Sequence, residues 1–280
     1  MPAKQRKLLV VTDLDGTLLD ASYRWEAARD CVALLHQLGL PLVLNSSKTT
    51  PELRQLATEL GTDAPLIAEN GGVIAIPVGS PLMASVTPGQ VVNGHHLEFP
   101  GLSRKLILEE AHSLRDQQGF LFSGFADWDS DEIARRTGLH LEAAVLAGQR
   151  HATEPIVWHD SESRWADFVE GLSVRGIRAV KGGRFIHLMG DASKATAMRA
   201  VRRLFEQRFP TIEWTTVALG DSENDLEMLM EADIAVVIPD ANGEVLKPTA
   251  PKVFYAAHAG PIGWNEVLTT IIKDYSNRHG

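Results

Sequence analysis

The chain of 280 residues contains one cysteine, Cys31. A single cysteine excludes an intramolecular disulfide, and such sparse use favours a reducing compartment such as the cytoplasm. Cys31 falls on the apolar stripe of a predicted helix, together with Ala28, Val32 and Leu35. That position favours packing in the core over a role as a nucleophile.

An excess of basic residues is also lacking. The chain has 27 Lys and Arg against 36 Asp and Glu, which gives a net charge of -9. Nucleic acids and anionic membranes select basic surfaces, so this charge argues against both as main partners. No apolar run approaches the length that spans a bilayer, and the run after the basic N-terminus is too short for a signal peptide. The sequence therefore predicts a cytoplasmic protein that binds small molecules.

Apolar runs alternate with amphipathic segments in the first part of the chain and again from residue 193 onward. Residues 8–12 predict a buried strand and residues 24–38 a helix. A further helix is predicted to begin with Thr50 as its N-cap and Pro51 in its first turn. Alternation of this kind predicts the α/β class, with a doubly wound, mainly parallel, Rossmann-like sheet.

The pattern changes between about residues 80 and 190. Prolines and glycines interrupt it first, and amphipathic helices are then predicted near 102–117 and 162–173. We predict an inserted α/β domain at 83–189. The two flanking segments, 1–82 and 190–280, are predicted to form one core domain with a shared sheet.

Acidic residues follow two of the predicted strands. Asp13 and Asp15 stand in DLDGT after the first strand, whereas Asp221 and Asp225 stand in GDSEND after a later one. In an open α/β sheet the ligand crevice lies at the carboxyl ends of the strands, so these side chains are expected to meet there. Mg²⁺ prefers oxygen ligands and keeps positions for water and phosphate oxygens. The four carboxylates therefore predict a Mg²⁺-dependent phosphoryl-transfer site.

Phosphoryl transfer also requires positive charge and hydrogen-bond donors around the phosphate oxygens. Ser46, Ser47 and Lys48 follow another predicted strand, although the serines could instead cap the turn that leads to the next helix. Two lysines compete for the phosphate-binding role. Lys194 starts a helix in the core and is preferred over Lys181, which precedes a predicted strand of the insertion.

Taken in this order, DLDGT, a strand followed by Ser46, Lys194 at a helix start and GDSEND resemble the motifs of the haloacid dehalogenase superfamily. The resemblance implies that Asp13 attacks phosphorus and forms an aspartyl-phosphate. It implies that Asp15 protonates the leaving oxygen and then activates water. Ser46 is implied to bind a phosphate oxygen, and Lys194 to neutralise the charge of the phosphate and of Asp13.

The same resemblance implies the ligands of Mg²⁺. They are the Asp13 side chain, the Asp15 backbone carbonyl and Asp221, with Asn224 and Asp225 supporting the metal site. A carboxylate near a divalent cation and a lysine stays ionised and can attack without a base.

The large α/β insertion resembles the cap domain of the sugar-phosphatase branch, whose caps close over the core site and select the substrate. Short segments resemble the mannosyl-3-phosphoglycerate phosphatases in particular: SSKT at 46–49, RHATEPI at 150–156, GGRF at 182–185 and GPIGW at 260–264. The substrate-binding residues that this implies are Ser47, Lys48, Arg150, Glu154, Arg184 and His187. Arginine suits a glyceryl carboxylate and glutamate accepts sugar hydroxyls. The alternative for the last four is ion pairing or polar packing inside the cap.

The predicted activity is hydrolysis of a glycosyl phosphoglycerate, with mannosyl-3-phosphoglycerate preferred, to mannosylglycerate and phosphate. A general sugar-phosphate phosphatase or a phosphomutase shares the core motifs and stays open. A receiver-like phospho-acceptor without enzymatic activity is a further alternative. Asp15 argues against it, because an acid two residues from the nucleophile activates water and shortens the life of an aspartyl-phosphate.

Overall fold

The computed structural model describes residues 5–87, 89–182 and 184–279. Residues 1–4 of the basic N-terminus lie outside the described residues, as does Gly183 of the GGRF segment. Within the described part of the chain, no helix is both long and apolar enough to cross a membrane.

Strands and helices are numbered here in chain order. The strands are β1 (Gln5–Thr12), β2 (Leu42–Asn45), β3 (Leu66–Ala68), β4 (Val73–Pro77), β5 (Gln90–Val92), β6 (His95–Glu98), β7 (Phe122–Gly124), β8 (Thr153–Trp158), β9 (Arg178–Lys181), β10 (Ile186–Met189), β11 (Ile212–Gly220), β12 (Ile234–Val237) and β13 (Val253–Tyr255). The α-helices are α1 (Arg29–Leu38), α2 (Thr50–Leu60), α3 (Arg104–Gln118), α4 (Ser130–Thr137), α5 (Leu141–Gly148), α6 (Glu162–Ser173), α7 (Lys194–Arg208), α8 (Leu226–Glu231) and α9 (Gly260–His279). Short 3-10 turns join several of them.

The larger sheet has the strand order β13-β12-β11-β1-β2-β3-β4-β6-β5. The six strands from β13 to β3 are parallel, and the last three are antiparallel. β1 lies in the middle, where Val10 is paired with Val217 on one side and Leu42 on the other. This confirms the predicted doubly wound, mainly parallel sheet.

Side chains of β1 alternate between two apolar layers, as the two-residue period of a strand requires. Leu8 and Val10 pack with α1 and α9, whereas Leu9 and Val11 pack with α7 and α8. A strand that is buried on both faces is continuously apolar, which is why residues 8–12 stand out in the sequence. Cys31 is fully buried on the α1 face, and burial raises the pKa of its thiol to about 11. That environment fits the predicted packing role.

The second sheet is antiparallel, in the order β7-β8-β10-β9. Helices α3 and α6 cover it through a separate apolar core that includes Phe120, Phe122 and Phe168. The α6 bounds match the predicted helix at 162–173. Helices α4 and α5 were not predicted from the sequence. They are only eight residues each, too short for a clear helical periodicity.

The predicted start of α2 differs from the structure by one residue. The N-cap of α2 is Thr49, not Thr50, and it forms a capping box with Glu52. A capping box satisfies two backbone N–H groups at once, which explains the shift by one residue. The predicted domain boundary at residue 83, which stays a prediction, precedes β6, which pairs with β4 of the larger sheet, and β5, which pairs with β6. The larger sheet therefore continues through Glu98.

Candidate functional site

Three strand ends and one helix start meet at the carboxyl edge of the larger sheet. β1 ends before Asp13, β2 ends before Ser46 and β11 ends before Asp221. β1 pairs with β2 on one side and β11 on the other, so these three residues follow adjacent parallel strands. Helix α7 adds Lys194, the first residue after its N-cap Ser193.

Lys194 forms the centre of a buried ionic network. Its Nζ contacts Asp13 Oδ1 and lies 2.7 Å from Asp225 Oδ1. The lysine side chain is 2% exposed. Although burial lowers the pKa of Lys194, the charges of Asp13 and Asp225 outweigh it and the net shift is upward. The lysine therefore stays charged, as expected of a buried cation with two carboxylate partners.

The turn after β1 brings Asp221 against the first acidic motif. Gly16 has φ +86, and a Cβ at this position would lie 2.5 Å from Asp221 Oδ2. The hydroxyl of Thr17 donates to Asp221 Oδ1 at 2.8 Å. Glycine is required here both for the left-handed backbone and for the close approach of the carboxylate.

Asp13, Asp221 and Asp225 each offer a carboxylate oxygen, and these oxygens lie within 4.8 Å of one another. Burial raises the pKa of Asp13, followed by repulsion from Asp225. Burial and Asp225 likewise raise the pKa of Asp221 to about 6. One lysine does not balance three such acids. An oxygen-only donor set with surplus negative charge fits a divalent cation of the Mg²⁺ type.

Asp225 has both oxygens engaged within the protein. Oδ1 accepts from Lys194, and Oδ2 accepts the backbone N–H groups of Asp221 and Ser222 at 3.2 and 3.1 Å. Asp225 thereby holds Lys194 and the loop at Asp221, and its support of the metal site stays a prediction. Asn224 is half-buried and donates to Asn70 Oδ1 at 3.4 Å.

The segment after β2 contributes Ser46 and Lys48 to the site. Ser46 is buried, and its hydroxyl accepts the backbone N–H of Lys48 at 3.3 Å. Lys48 Nζ is 2.9 Å from Asp15 Oδ2 and 4.7 Å from the centre of the Tyr23 ring. Burial lowers the pKa of Lys48, but contributions that include the charges of Asp15 and Glu52 oppose it, and the net shift of the pKa is upward. Asp15, unlike Asp13, is exposed and paired with its own cation.

A cavity of about 420 Å³ lies between this edge and the smaller sheet. Asp13, Asp15 and Asp221 line one end. The wall that the insertion supplies contains Phe125, Thr137, Leu139, Ala147, Arg150, Pro155, Val180, Lys181, Gly182, Arg184, Phe185 and His187. Acids thus stand at one end and several cationic side chains on the facing wall.

Arg150 connects the insertion to the core. Its Nη1 donates to the Ser47 carbonyl at 3.3 Å and to Thr153 Oγ1 at 2.8 Å. The guanidinium lies 5.4 Å from the centre of the Phe125 ring, and its Nε is buried without a partner in the described structure. Arg184 donates to the Thr137 carbonyl at the end of α4.

His187 is buried beside the cavity, and its Nδ1 has no partner among the described residues. Burial lowers the pKa of His187 to about 3, helped by the charges of Arg150 and Lys194. The ring is therefore neutral at pH 7 and offers one donor and one acceptor nitrogen to a ligand.

Glu154, predicted to bind substrate, lies inside the insertion. Its Oε2 lies 2.7 Å from Arg104 of α3, and its Oε1 accepts the backbone N–H of Ala126 at 2.7 Å. Glu154 is 1% exposed and is not part of the cavity wall. Both oxygens are engaged inside the insertion, which is the internal pairing that the sequence left open as the alternative for this residue.

Sequence reasoning assigned no role to Tyr23 or Glu69. Tyr23 lines the cavity and has φ +58, and a lone tyrosine in a polar loop carries no sequence signal. Glu69 is fully buried in the turn after β3 and accepts four hydrogen bonds from residues 151–153. The feature of the sequence that could have indicated Glu69 is an acidic residue directly after an apolar strand and before Asn-Gly.

Comparisons with known proteins agree with this architecture. A family model described as haloacid dehalogenase-like hydrolase matches residues 10–99 and 184–260. A solved haloacid dehalogenase-like hydrolase from Bacteroides thetaiotaomicron superposes with a TM-score of 0.64 at 18% identity. The superposition covers 95% of this chain and 100% of that one. At this identity the likeness concerns the fold alone.

Two curated relatives are similar over nearly the whole length. A glucosyl-3-phosphoglycerate/mannosyl-3-phosphoglycerate phosphatase from Methanococcoides burtonii is 35% identical, over 97% of this chain and 99% of the relative. A protein of the same name from Persephonella marina is 32% identical, over 95% and 98%.

Proposed function

This chain belongs to the haloacid dehalogenase-like hydrolases, and on that premise we propose that it is a Mg²⁺-dependent phosphatase acting on a glycosyl-3-phosphoglycerate. The preferred substrate is mannosyl-3-phosphoglycerate, and the products are mannosylglycerate and inorganic phosphate. The names of the two relatives, which cover both glucosyl and mannosyl substrates, support this substrate class.

The polarity of the cavity is the observation that carries the proposal. Its core end holds Asp13, Asp15 and Asp221, which suits a metal-bound phosphate. Its opposite wall holds Arg150 and Arg184, which suit a second anionic group. A phosphoglycerate carries both a phosphate and a carboxylate, whereas a simple hexose phosphate carries only the first.

In the first step, Asp13 attacks phosphorus and the bond between phosphorus and the ester oxygen breaks. Lys194 contacts Oδ1 of Asp13, so Oδ2 is the oxygen that we assign to the attack. We assign a protonated state to Asp15 in the substrate complex, where the phosphate takes Lys48 from its pairing with Asp15. Asp15 donates that proton to the leaving oxygen, which departs as the hydroxyl of the glycosylglycerate. Its exposed position beside the cavity gives it access to that oxygen.

In the second step, Asp15 accepts a proton from water, and the water oxygen attacks the phosphorus of the aspartyl-phosphate. The bond between phosphorus and Asp13 breaks, phosphate leaves and both aspartates return to their starting states. Lys194 neutralises negative charge that develops beside Asp13 in both steps. Bound Mg²⁺, held by Asp13, the Asp15 carbonyl and Asp221, would polarise the phosphate and offset its charge.

The insertion selects the substrate in this proposal. Arg150 and Arg184 bind the glyceryl carboxylate, and neutral His187 hydrogen-bonds a sugar or glyceryl hydroxyl. Ser46, Ser47 and Lys48 complete the phosphate end. We place the cap domain after Glu98, where the first chain segment of the larger sheet ends, and extend it to about residue 189. The buried, unpaired Cys31 supports a reducing cytoplasm, and the net charge of -9 supports a function without nucleic acid or membrane partners.

Phosphate release from four esters tests the proposal: mannosyl-3-phosphoglycerate, glucosyl-3-phosphoglycerate, 3-phosphoglycerate and mannose 6-phosphate. With Mg²⁺, we expect kcat/KM for the glycosyl phosphoglycerates to exceed that for mannose 6-phosphate by at least about a hundredfold. EDTA should abolish turnover and added Mg²⁺ should restore it. Preference for mannose 6-phosphate would indicate a general sugar phosphatase, and transfer of phosphate to a second sugar hydroxyl would indicate a phosphomutase.

A further inference from the structure

Trp264, in the GPIGW segment, has no role in the chemistry described above. It is the largest fully buried side chain of the described chain and lies in the first turns of α9. Its indole N–H donates to the Thr12 hydroxyl at 2.9 Å. Thr12 is the last residue of β1, directly before Asp13.

The Thr12 hydroxyl links Trp264 to Asp13 through two hydrogen bonds. It donates its single proton to the backbone carbonyl of Asp13 at 2.7 Å while it accepts from Trp264. A threonine hydroxyl has one donor, so its direction is set once that donor is used. The chain of bonds therefore runs from the Trp264 N–H through Thr12 to the Asp13 carbonyl, and all three residues are buried.

The backbone N–H and C=O of Asp13 both form hydrogen bonds. Its N–H donates to the Leu219 carbonyl of β11 at 2.9 Å, and its C=O accepts from Thr12. Backbone orientation at a residue sets the direction of its side chain. The tilt of the Asp13–Leu14 peptide also decides where the chain carries Asp15, two residues later.

Residues next to Trp264 at the start of α9 have backbone features that place its indole ring beside β1. A Cβ on Gly263 would lie 1.8 Å from the His258 carbonyl oxygen, so only glycine fits the turn before Trp264. Gly260 has φ +63. Asn265 Oδ1 accepts the backbone N–H of Cys31 at 3.0 Å and ties the same turn of α9 to α1. The turn that carries Trp264 is thus packed closely against His258 and tied to α1 through Asn265.

We propose that Trp264 is a positioning residue for the nucleophile, acting on the Asp13 main chain through Thr12. This inference rests on the proposed function, because it assumes that Asp13 attacks phosphorus. Without these two hydrogen bonds, Asp13 is still present but its orientation is less restricted. A misplacement well under 1 Å at a reacting atom lowers the rate of the chemical step. The expected effect is therefore on kcat, with little change in KM.

The test uses Trp264→Phe, which removes the N–H and keeps an aromatic ring, and Thr12→Val, which keeps the branched shape and removes the hydroxyl. Trp214→Phe is the matched control. Trp214 is buried on the opposite face of the sheet, and its indole N–H has no partner in the described structure. The Trp214→Phe substitution therefore reduces the volume of a buried ring without removing a hydrogen bond.

With p-nitrophenyl phosphate and Mg²⁺, we expect Trp264→Phe and Thr12→Val each to lower kcat by about tenfold, with KM within about twofold. The double variant should lose no more than the stronger single variant, because both interrupt one chain. Thr12→Ser should retain kcat within about threefold, since serine keeps the hydroxyl. Trp214→Phe should keep the wild-type kcat even where urea unfolding shows that it is destabilised.

Wild-type kcat in folded Trp264→Phe and Thr12→Val would overturn the positioning role and leave the proposed function standing. Multiplicative losses in the double variant would overturn the single chain of bonds. A wild-type protein without phosphatase activity on any ester in Mg²⁺ would overturn the proposed function, and the positioning role with it.

Discussion

Glu69 accepts a hydrogen bond from the Thr153 hydroxyl at 2.8 Å, between the turn after β3 and the first residue of β8. The same carboxylate accepts the backbone N–H groups of His151, Ala152 and Thr153 at 2.8 to 3.0 Å. One buried acid from the core thereby holds the segment that follows Arg150. This clamp fixes the place where an arginine of the insertion reaches the cavity.

Glu69→Gln should lower the free energy of unfolding by about 2 kcal/mol or more. The amide replaces one acceptor oxygen with an NH₂ group that faces buried donors, and unsatisfied donors are costly. Urea unfolding at pH 7 measures the change. Glu213→Gln is the control, because Glu213 forms an exposed pair with Arg6 and should change stability by less than about 1 kcal/mol. Equal effects of the two substitutions would show that the clamp contributes little.

Asp15→Asn should accumulate an aspartyl-phosphate. The variant keeps Asp13 to attack an activated ester, but it lacks the base that directs water at the intermediate. Rapid quench with ³²P-labelled ester should show more protein-bound phosphate in Asp15→Asn than in the wild type.

Asp13→Asn should form no covalent phospho-protein and should lose at least about a thousandfold in turnover. Bound phosphate in Asp13→Asn would assign the nucleophile to another residue.

Arg150→Lys and Arg184→Lys should each lower kcat/KM for mannosyl-3-phosphoglycerate by about ten- to a hundredfold. Lysine cannot form the two parallel bonds by which arginine binds a carboxylate. Activity on p-nitrophenyl phosphate, which has no carboxylate, should stay within about threefold. Arg135→Lys is the control, since Arg135 pairs with Glu132 on the surface of α4. Equal losses on both substrates would assign these arginines a structural role.

His187→Gln should make the protein less sensitive to acid. The pKa of His187 is about 6.5 in the unfolded chain and about 3 in the folded one, so the unfolded state binds more protons below pH 6.5. Its contribution to stability is therefore complete above pH 6.5 and is lost progressively as pH falls toward 3. Urea unfolding should show that the wild type loses about 2 kcal/mol more than the variant between pH 7.5 and 5.0. The same loss in both proteins would mean that His187 titrates normally.

Local sequence patterns were enough to predict the class of fold and the place of the acidic motifs. Strand periodicity, the alternation with helices and the helix start at Ser193 and Lys194 are local properties, set by a few neighbouring residues. The rule that parallel strands expose their carboxyl ends at one edge then brings Asp13 and Asp221 together. No knowledge of side-chain packing was needed for that step.

Only the tertiary structure decided which residues pair. Glu154 matched a substrate-binding motif, yet it pairs with Arg104 of α3, and Glu69 reaches Thr153 across 84 positions. Trp264 meets Thr12 across 252 positions. Such contacts depend on how separate elements dock and on which buried polar atoms need partners, and local periodicity carries no information about either. For this protein local sequence patterns placed the acidic motifs at one edge of the sheet, and the packing of distant segments determined which buried polar groups contact them.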